Sequence, residues 1–401
     1  MASKTEKVDR NPAGGLHYNA FFTIGCDPEL FIQDKNGEIV GSERVIPARG
    51  IGVGYNNSNK VVRDGVQIEL HPEPTTCRAS VGNYIQQILR ELDATIRNNP
   101  EFKDKYRVSF ADVVTVKKKE LQSLSKECRM LGCAPSLNLY RPSRIRVNPE
   151  TYTKRSAGGH IHISGFDRKM LSTPKNVRDL IFMFDAFVGN TCVLIDRSPH
   201  AITRRRVYGR AGEYRLPTWG VEYRTLSNFW MRSYQLFSLV SGLMRMGASA
   251  SQTSYTRTTY TPYLTSHADV QGMVLDSLDP KRVQRAINRN DLDLAYRNWE
   301  DLKPIIKGYY TKSLTTYEGI CSASIPYFEF FAQKVQEHAA SGESKANGLD
   351  FWFPDDPMKH WIKKAEGHGT GWETFVARKV TPMYLKSLQE KKDANTNQAA
   401  A

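Results

Sequence analysis

The 401-residue chain predicts an α+β fold on three observations: short alternating strand patterns crowd the first 230 residues, apolar residues at helical spacing dominate after them, and no fixed period repeats. Residues 1–18 are polar and glycine-containing and predict a mobile arm. From Phe21 to about Gln33 the residues alternate as on one strand, and Asp34-Lys35-Asn36-Gly37 predicts a hairpin turn into Ile39 and Val40. Gly50, Gly52 and Gly54 lack the lysine of a phosphate-binding loop and read as a hinge or turn. Pro72 and Pro74 close the next strand. Val81, Ile85, Ile88, Leu89, Leu92 and Ile96 then share one face of a helix over 79–97. A strand-like stretch over 107–116 precedes a short helix near 119–130 that stops at Gly132. Gly158-Gly159 admits a strand at 160–164, a long buried helix follows over 175–196, then a strand at Glu222 and a helix over 229–247. The Ser-, Thr- and Tyr-rich segment 249–266 reads equally as a lid or a long surface loop. Helices are expected over 269–288, 291–307, 325–338 and 372–389, and the tail 390–401 as disordered. The domain reading is a catalytic core over 19–248, a loop or lid over 249–267, and a helical C-terminal region over 268–389.

Composition removes several classes. A hydrophobic fraction of 40% and a charged fraction of 24% fit a soluble globular protein. No apolar run approaches the ~18 residues of a membrane helix, since Asp185 interrupts the nearest one. The first ten residues lack the apolar centre of a secretory signal, so cytoplasm is the expected compartment. Cys26, Cys77, Cys128, Cys133, Cys192 and Cys321 form no Cys-x-x-Cys pair and read as reduced thiols without zinc. A net charge of +14, concentrated partly in Lys117-Lys118-Lys119, Arg204-Arg205-Arg206 and the arginines between 141 and 146, favours a polyanionic partner: nucleotide, nucleic acid or an acidic polymer.

The chemistry lies in four segments that place polar residues two apart among apolar ones: 25–31, 64–70, 159–164 and 221–226. On strands this spacing puts Asp27 with Glu29, Gln67 with Glu69, His160 with His162, and Glu222 with Arg224 on common faces. The set is rich in Asp, Glu, His and Arg and contains no Lys, unlike an ordinary solvated face. Magnesium and similar hard cations want several oxygen ligands, and Asp27, Glu29, Asp64, Glu69 and Glu222 supply five. Turned inward without a cation these carboxylates would repel one another. His160 or His162 could add a ligand. Arginines beside metal ions suit a transferring phosphoryl group, and Arg215 and Arg224, with Arg205 and Arg210 in reserve, are the candidates. Arg224 could equally pair with Glu29 or Glu69 and only neutralise a buried carboxylate.

Gly-x-Asp-Pro-Glu at 25–29, Asp-Gly-x-x-x-Glu at 64–69, Gly-Gly-His-x-His at 158–162, and Tyr-Gly-x-Ala-Gly-Glu-Tyr-Arg followed by Gly-x-Glu-Tyr-Arg-x-Leu-Ser-Asn at 208–228 together resemble the bacteriophage carboxylate-amine ligase family, which is similar to glutamate-cysteine ligase and glutamine synthetase. The resemblance spans about residues 20–235. It implies a glutamine-synthetase-like curved antiparallel sheet that holds magnesium and ATP, with helices packed behind. It assigns Glu29, Glu69 and Glu222 as magnesium ligands, Asp27 and Asp64 as accessory carboxylates and His160 as the histidine ligand, and sets Arg215 and Arg224 against phosphate. The implied reaction joins a carboxylate to an amine through an acyl-phosphate, with Asp64 taking the amine's proton. Two other readings compete: a metal-dependent phosphoesterase or nuclease, and a non-catalytic phage protein that binds nucleic acid.

Overall fold

Proline has no amide hydrogen to give a strand ladder, and Pro28 divides the first strand pattern into two strands. The computed structural model describes residues 22–75, 78–131, 136–141, 147–148, 150–166, 168–196, 198–252, 270–313 and 353–363. The expected arm 1–18, Gly132, most of 141–146, most of the Ser/Thr/Tyr-rich segment, the helices 325–338 and 372–389, the tail, and Cys77, Cys133 and Cys321 lie outside them. In chain order the strands are β1 (Thr23–Cys26), β2 (Glu29–Asp34), β3 (Ile39–Val40), β4 (Ile51–Val53), β5 (Asn59–Asp64), β6 (Gln67–His71), β7 (Tyr106–Ser109), β8 (Val113–Thr115), β9 (Leu137–Asn138), β10 (Lys154–Ser156), β11 (Ile161–Ser164), β12 (Glu213–Arg215) and β13 (Gly220–Tyr223).

Every pairing among them is antiparallel. One sheet runs β1-β11-β13-β12-β9 and another β3-β2-β6-β5-β4 with β7 also on β2, while β10 pairs with β8. Among the described residues the fold is therefore α+β with open sheets and no barrel. Two corrections follow. A single strand from Phe21 to Gln33 is not formed: β1 joins the first sheet, β2 the second, and Asp27-Pro28 is the crossing between them. The Gly50–Gly54 stretch is no mere hinge, since Ile51–Val53 forms the terminal strand beside β5.

Helices cover the apolar side of the sheets. The stripe predicted for the first helix, Arg78–Asn98, is buried at all six positions, packed on β4, β5, β7 and the helix Tyr234–Gln252. The latter begins after a 3₁₀ turn, Asn228–Arg232, and takes up residues 249–252 that were expected in the loop. The buried helix expected over 175–196 runs as Pro174–Phe184, a π-helical stretch Asp185–Asn190, and Thr191–Val193. That widened stretch holds Asp185, whose Oδ1 accepts hydrogen bonds from Tyr223 Oη (2.7 Å) and the Gly212 amide (3.0 Å). It thereby ties the back of β13 to the helical layer.

Instead of one helix over 269–288 there are two, Val270–Ser277 and Pro280–Arg289. The break falls at Asp279, whose side chain caps the Lys281 amide at 2.9 Å ahead of Pro280. The next runs Leu292–Ser313, and the arginine run lies on an unanticipated helix, Ala201–Val207. Among the described residues no helix is long and apolar enough to cross a membrane. Cys26, Cys128 and Cys192 are free and buried.

Candidate active site

The four polar-and-apolar segments meet where the two main sheets adjoin. Register explains the convergence: His162 faces Glu222 across β11 and β13, Arg215 faces Glu222 across β12 and β13, and Glu29 faces Glu69 across β2 and β6. Directly opposed like charges destabilise a strand pair unless neighbouring groups offset them, as His71 does beside Glu69.

The carboxylates fall into two groups. Donor atoms of Asp27, His160 and Glu222 lie within 4.8 Å of one another, and so do those of Glu29, Asp64 and Glu69. The chain crossing at Asp27-Pro28 feeds both groups, so Asp27 and Glu29 serve neighbouring positions and do not share one strand face. In the first group His160 Nδ1 is 2.9 Å from Asp27 Oδ1 and 3.5 Å from Glu222 Oε1, and His162 Nε2 is 3.2 Å from Asp27 Oδ2. Yet Asp27 Oδ1, His160 Nδ1 and His162 Nε2 are buried without a hydrogen bond of proper geometry. They lie within ion-pair distance of one another around a space shared with Glu222. Burial opposes ionisation of Asp27, but His162 and His160 beside it hold the carboxyl well below the usual range. His162 is raised: burial lowers it, and Asp27, Glu222 and Glu69 outweigh that.

In the second group Glu29 is fully buried, with Oε2 accepting from the Gly158 amide (2.8 Å) and Gln67 Nε2 (3.3 Å). Burial first, then Glu29, Glu69 and Asp27, push the Asp64 carboxyl up to about 8. Its Oδ2 is buried without a hydrogen-bond partner. Glu69 is raised by burial, Asp27 and Glu29 against the opposing contact of His71, whose Nε2 lies 2.5 Å from Glu69 Oε2. Three crowded carboxylates, one with an orphaned oxygen, match what a hard divalent cation requires, so the residues present fit magnesium.

Arg224 is fully buried. Its Nη1 donates to Glu222 Oε1 at 2.8 Å and its Nη2 to Tyr208 Oη at 2.8 Å, so Glu222 is a carboxylate partner that the sequence does not name for it. Arg215 lies at the rim, Nη1 3.4 Å from Glu222 Oε2. Arg205 and Arg210 are not brought to this centre. Arg205 donates to Asn290 Oδ1 (2.7 Å) and is held down to about 10 by burial, while Arg210 is spent on the carbonyls of Arg205 and Arg206 (2.7 Å each).

A cleft of about 520 Å³ opens over the two groups, lined by Asp27, Asp64, Glu69, His160, His162 and Arg215 together with His71 and Trp219. Three residues here went unrecognised in the sequence. His71 sits two beyond Glu69 on β6, so the spacing that found Glu69 also points to it. Trp219, 46% exposed with its ring 5.0 Å from that of His162, lies on the β12–β13 turn, where no period marks it. Tyr208 opens the quoted Tyr-Gly-x-Ala-Gly-Glu-Tyr-Arg segment.

Fold and site together define an α+β protein whose antiparallel sheets carry a carboxylate, histidine and arginine centre with acidic groups that could hold a metal ion. A family model described as Phage phiEco32-like COOH.NH2 ligase-type 2 matches residues 98–266. The resemblance carried by the motifs is thus borne out, and the chain is similar over this segment to ligases that join a carboxylate to an amine. The matched segment contains His160, His162, Arg215, Glu222 and Arg224, while Asp27, Glu29, Asp64 and Glu69 precede it. No curated protein matches the chain.

Proposed function

We propose that the protein is an ATP- and magnesium-dependent carboxylate-amine ligase that works through an acyl-phosphate, built on a glutamine-synthetase-like sheet. The observation that carries this reading is the pair of three-donor groups, Asp27–His160–Glu222 and Glu29–Asp64–Glu69, side by side beneath one cleft, with Arg215 at its rim and Arg224 buried behind Glu222. Magnesium at these groups would neutralise phosphate oxygens and offset the mutual repulsion of the carboxylates.

In the first step an oxygen of the substrate carboxylate forms a bond to the γ-phosphorus of ATP and the bond to ADP breaks. In the second the amine nitrogen bonds to the acyl carbon, the carbon–oxygen bond to phosphate breaks, inorganic phosphate departs, and the surplus proton passes to water in the open cleft. Arg215 faces the developing phosphate charge; Arg224 holds Glu222 in place through a buried ion pair. Asp64 would serve as a cation ligand, a role in which it would stay ionised and leave the amine's proton to water. No enzyme nucleophile is needed.

The test is ADP release from ATP and magnesium across a panel of carboxylates and amines, with mass spectrometry of the product. Release should require both partners, and Glu69→Gln or Glu222→Gln should lower it at least about 100-fold with the fold retained. Two adjacent cation groups also suit a phosphoesterase. Cleavage of a phosphodiester without nucleotide would replace the ligase reading with that one.

A further inference from the structure

We propose that Tyr208 is a positioning residue: its phenol oxygen accepts the Nε2 proton of His160, so that the bare Nδ1 faces the cation position formed with Asp27 and Glu222. The inference rests on the proposed cation site and adds the residue that prepares one of its ligands.

Tyr208 Oη meets His160 Nε2 on one side and accepts from Arg224 Nη2 at 2.8 Å on the other. The imidazole stands edge-on to the phenol ring, 5.7 Å between centroids at 87°. His160 is 1% exposed, so a nitrogen that lost this partner would find no water in its place. The other nitrogen, Nδ1, lies 2.9 Å from Asp27 Oδ1 without hydrogen-bond geometry and is aimed at the space the two residues share with Glu222. An imidazole binds a metal through an unprotonated nitrogen, and an acceptor on the opposite nitrogen fixes the tautomer and orients the ring.

The phenol is itself held firmly. The Arg204 and Arg224 guanidinium carbons lie 5.1 and 5.4 Å from its ring centroid, and Arg204 is anchored on the carbonyls of Thr225 and Leu226. The next residue, Gly209, has φ +73°, and a side chain there would strike the Arg204 guanidinium. The turn therefore admits this clamp only with glycine after the tyrosine. Through one oxygen Tyr208 also links His160 to Arg224, and Arg224 to Glu222, so two members of the cation group share its support.

The test compares the full-length protein with Tyr208→Phe, which keeps the ring and removes the oxygen. Isothermal titration with Mn²⁺ should show one class of site weakened about 10- to 100-fold. The loss of ADP release should be recovered as Mg²⁺ is raised, a rescue that a purely structural role would not give. Unchanged Mn²⁺ affinity in a folded variant, or lost turnover that excess Mg²⁺ does not restore, would overturn the role of Tyr208 while leaving the ligase reading intact. Absence of any Mn²⁺ binding to the wild-type protein would overturn both. Should the variant not fold, ¹⁵N-imidazole spectra of the Mg²⁺-loaded wild-type protein decide: the His160 proton is expected on Nε2, and a proton retained on Nδ1 refutes the proposal.

Discussion

Asp64 carries at residue scale the tension that runs through the site. Unfolded, its carboxyl titrates near 3.8; folded, burial and the neighbouring Glu29 and Glu69 push it up to about 8. Between those values the native state keeps a proton that the unfolded chain has lost, so this group makes stability fall as pH rises from about 4 to about 8, and adds no further loss above that. Magnesium at the proposed site would bind the ionised carboxylates and would have to displace that proton at lower pH. The rise in melting temperature caused by Mg²⁺ should therefore be larger at pH 8 than at pH 6, and Asp64→Asn should remove most of the difference. Differential scanning fluorimetry at the two pH values measures this directly, and equal shifts in the wild-type protein would exclude Asp64 from the binding group.

His160 immediately precedes β11, and its approach is set by Gly159. A Cβ there would lie 2.3 Å from the Ser227 carbonyl oxygen and 2.4 Å from Trp230 Nε1, which itself donates to the Gly159 carbonyl at 3.0 Å. Gly159→Ala should thus cost about 1–3 kcal/mol through overpacking and shift His160 enough to weaken turnover. Denaturation and ADP release measured on the same variant check both effects, and a variant as stable and active as wild type would contradict this account.

Such strands were legible because period two survives any tertiary arrangement. Glu69 and His160 line the cleft and Glu222 joins His160 in one donor group, as their spacing put them, and the six positions at helical spacing in Arg78–Asn98 are buried. Strand ends were not legible, since Asp27 and Glu29 obey the same alternation across a sheet change that only pairing partners reveal. Charge alone misplaced Arg205 and Arg210, whose partners, Asn290 and backbone carbonyls, carry no mark in the sequence. Tyr208 reaches His160 from 48 residues away by a contact of the folded chain.

At the scale of the whole molecule, the two main sheets depend on helices far away in sequence. Trp361 in the helix Pro357–Lys363 is fully buried: its Nε1 donates to the Met231 carbonyl at 2.7 Å, and its own carbonyl accepts from Gln86 at 2.7 Å. Arg90 donates to the Ile362 carbonyl beside it at 2.9 Å. The C-terminal part of the chain thereby clasps the first helix and the start of Tyr234–Gln252. Trp361→Ala should cost roughly 3–5 kcal/mol and lower the melting temperature, although Trp361 does not line the cleft. A shift of under about 1 kcal/mol in chemical denaturation would mean that this clasp adds little.

The crossing at Asp27-Pro28-Glu29 has a mechanical consequence. One carboxylate reaches each ion group, and the two are separated by a span of at most about 7 Å of backbone that proline stiffens. The peptide itself then acts as a gauge block between the two charges, so the spacing of the two acidic groups is machined into three consecutive residues.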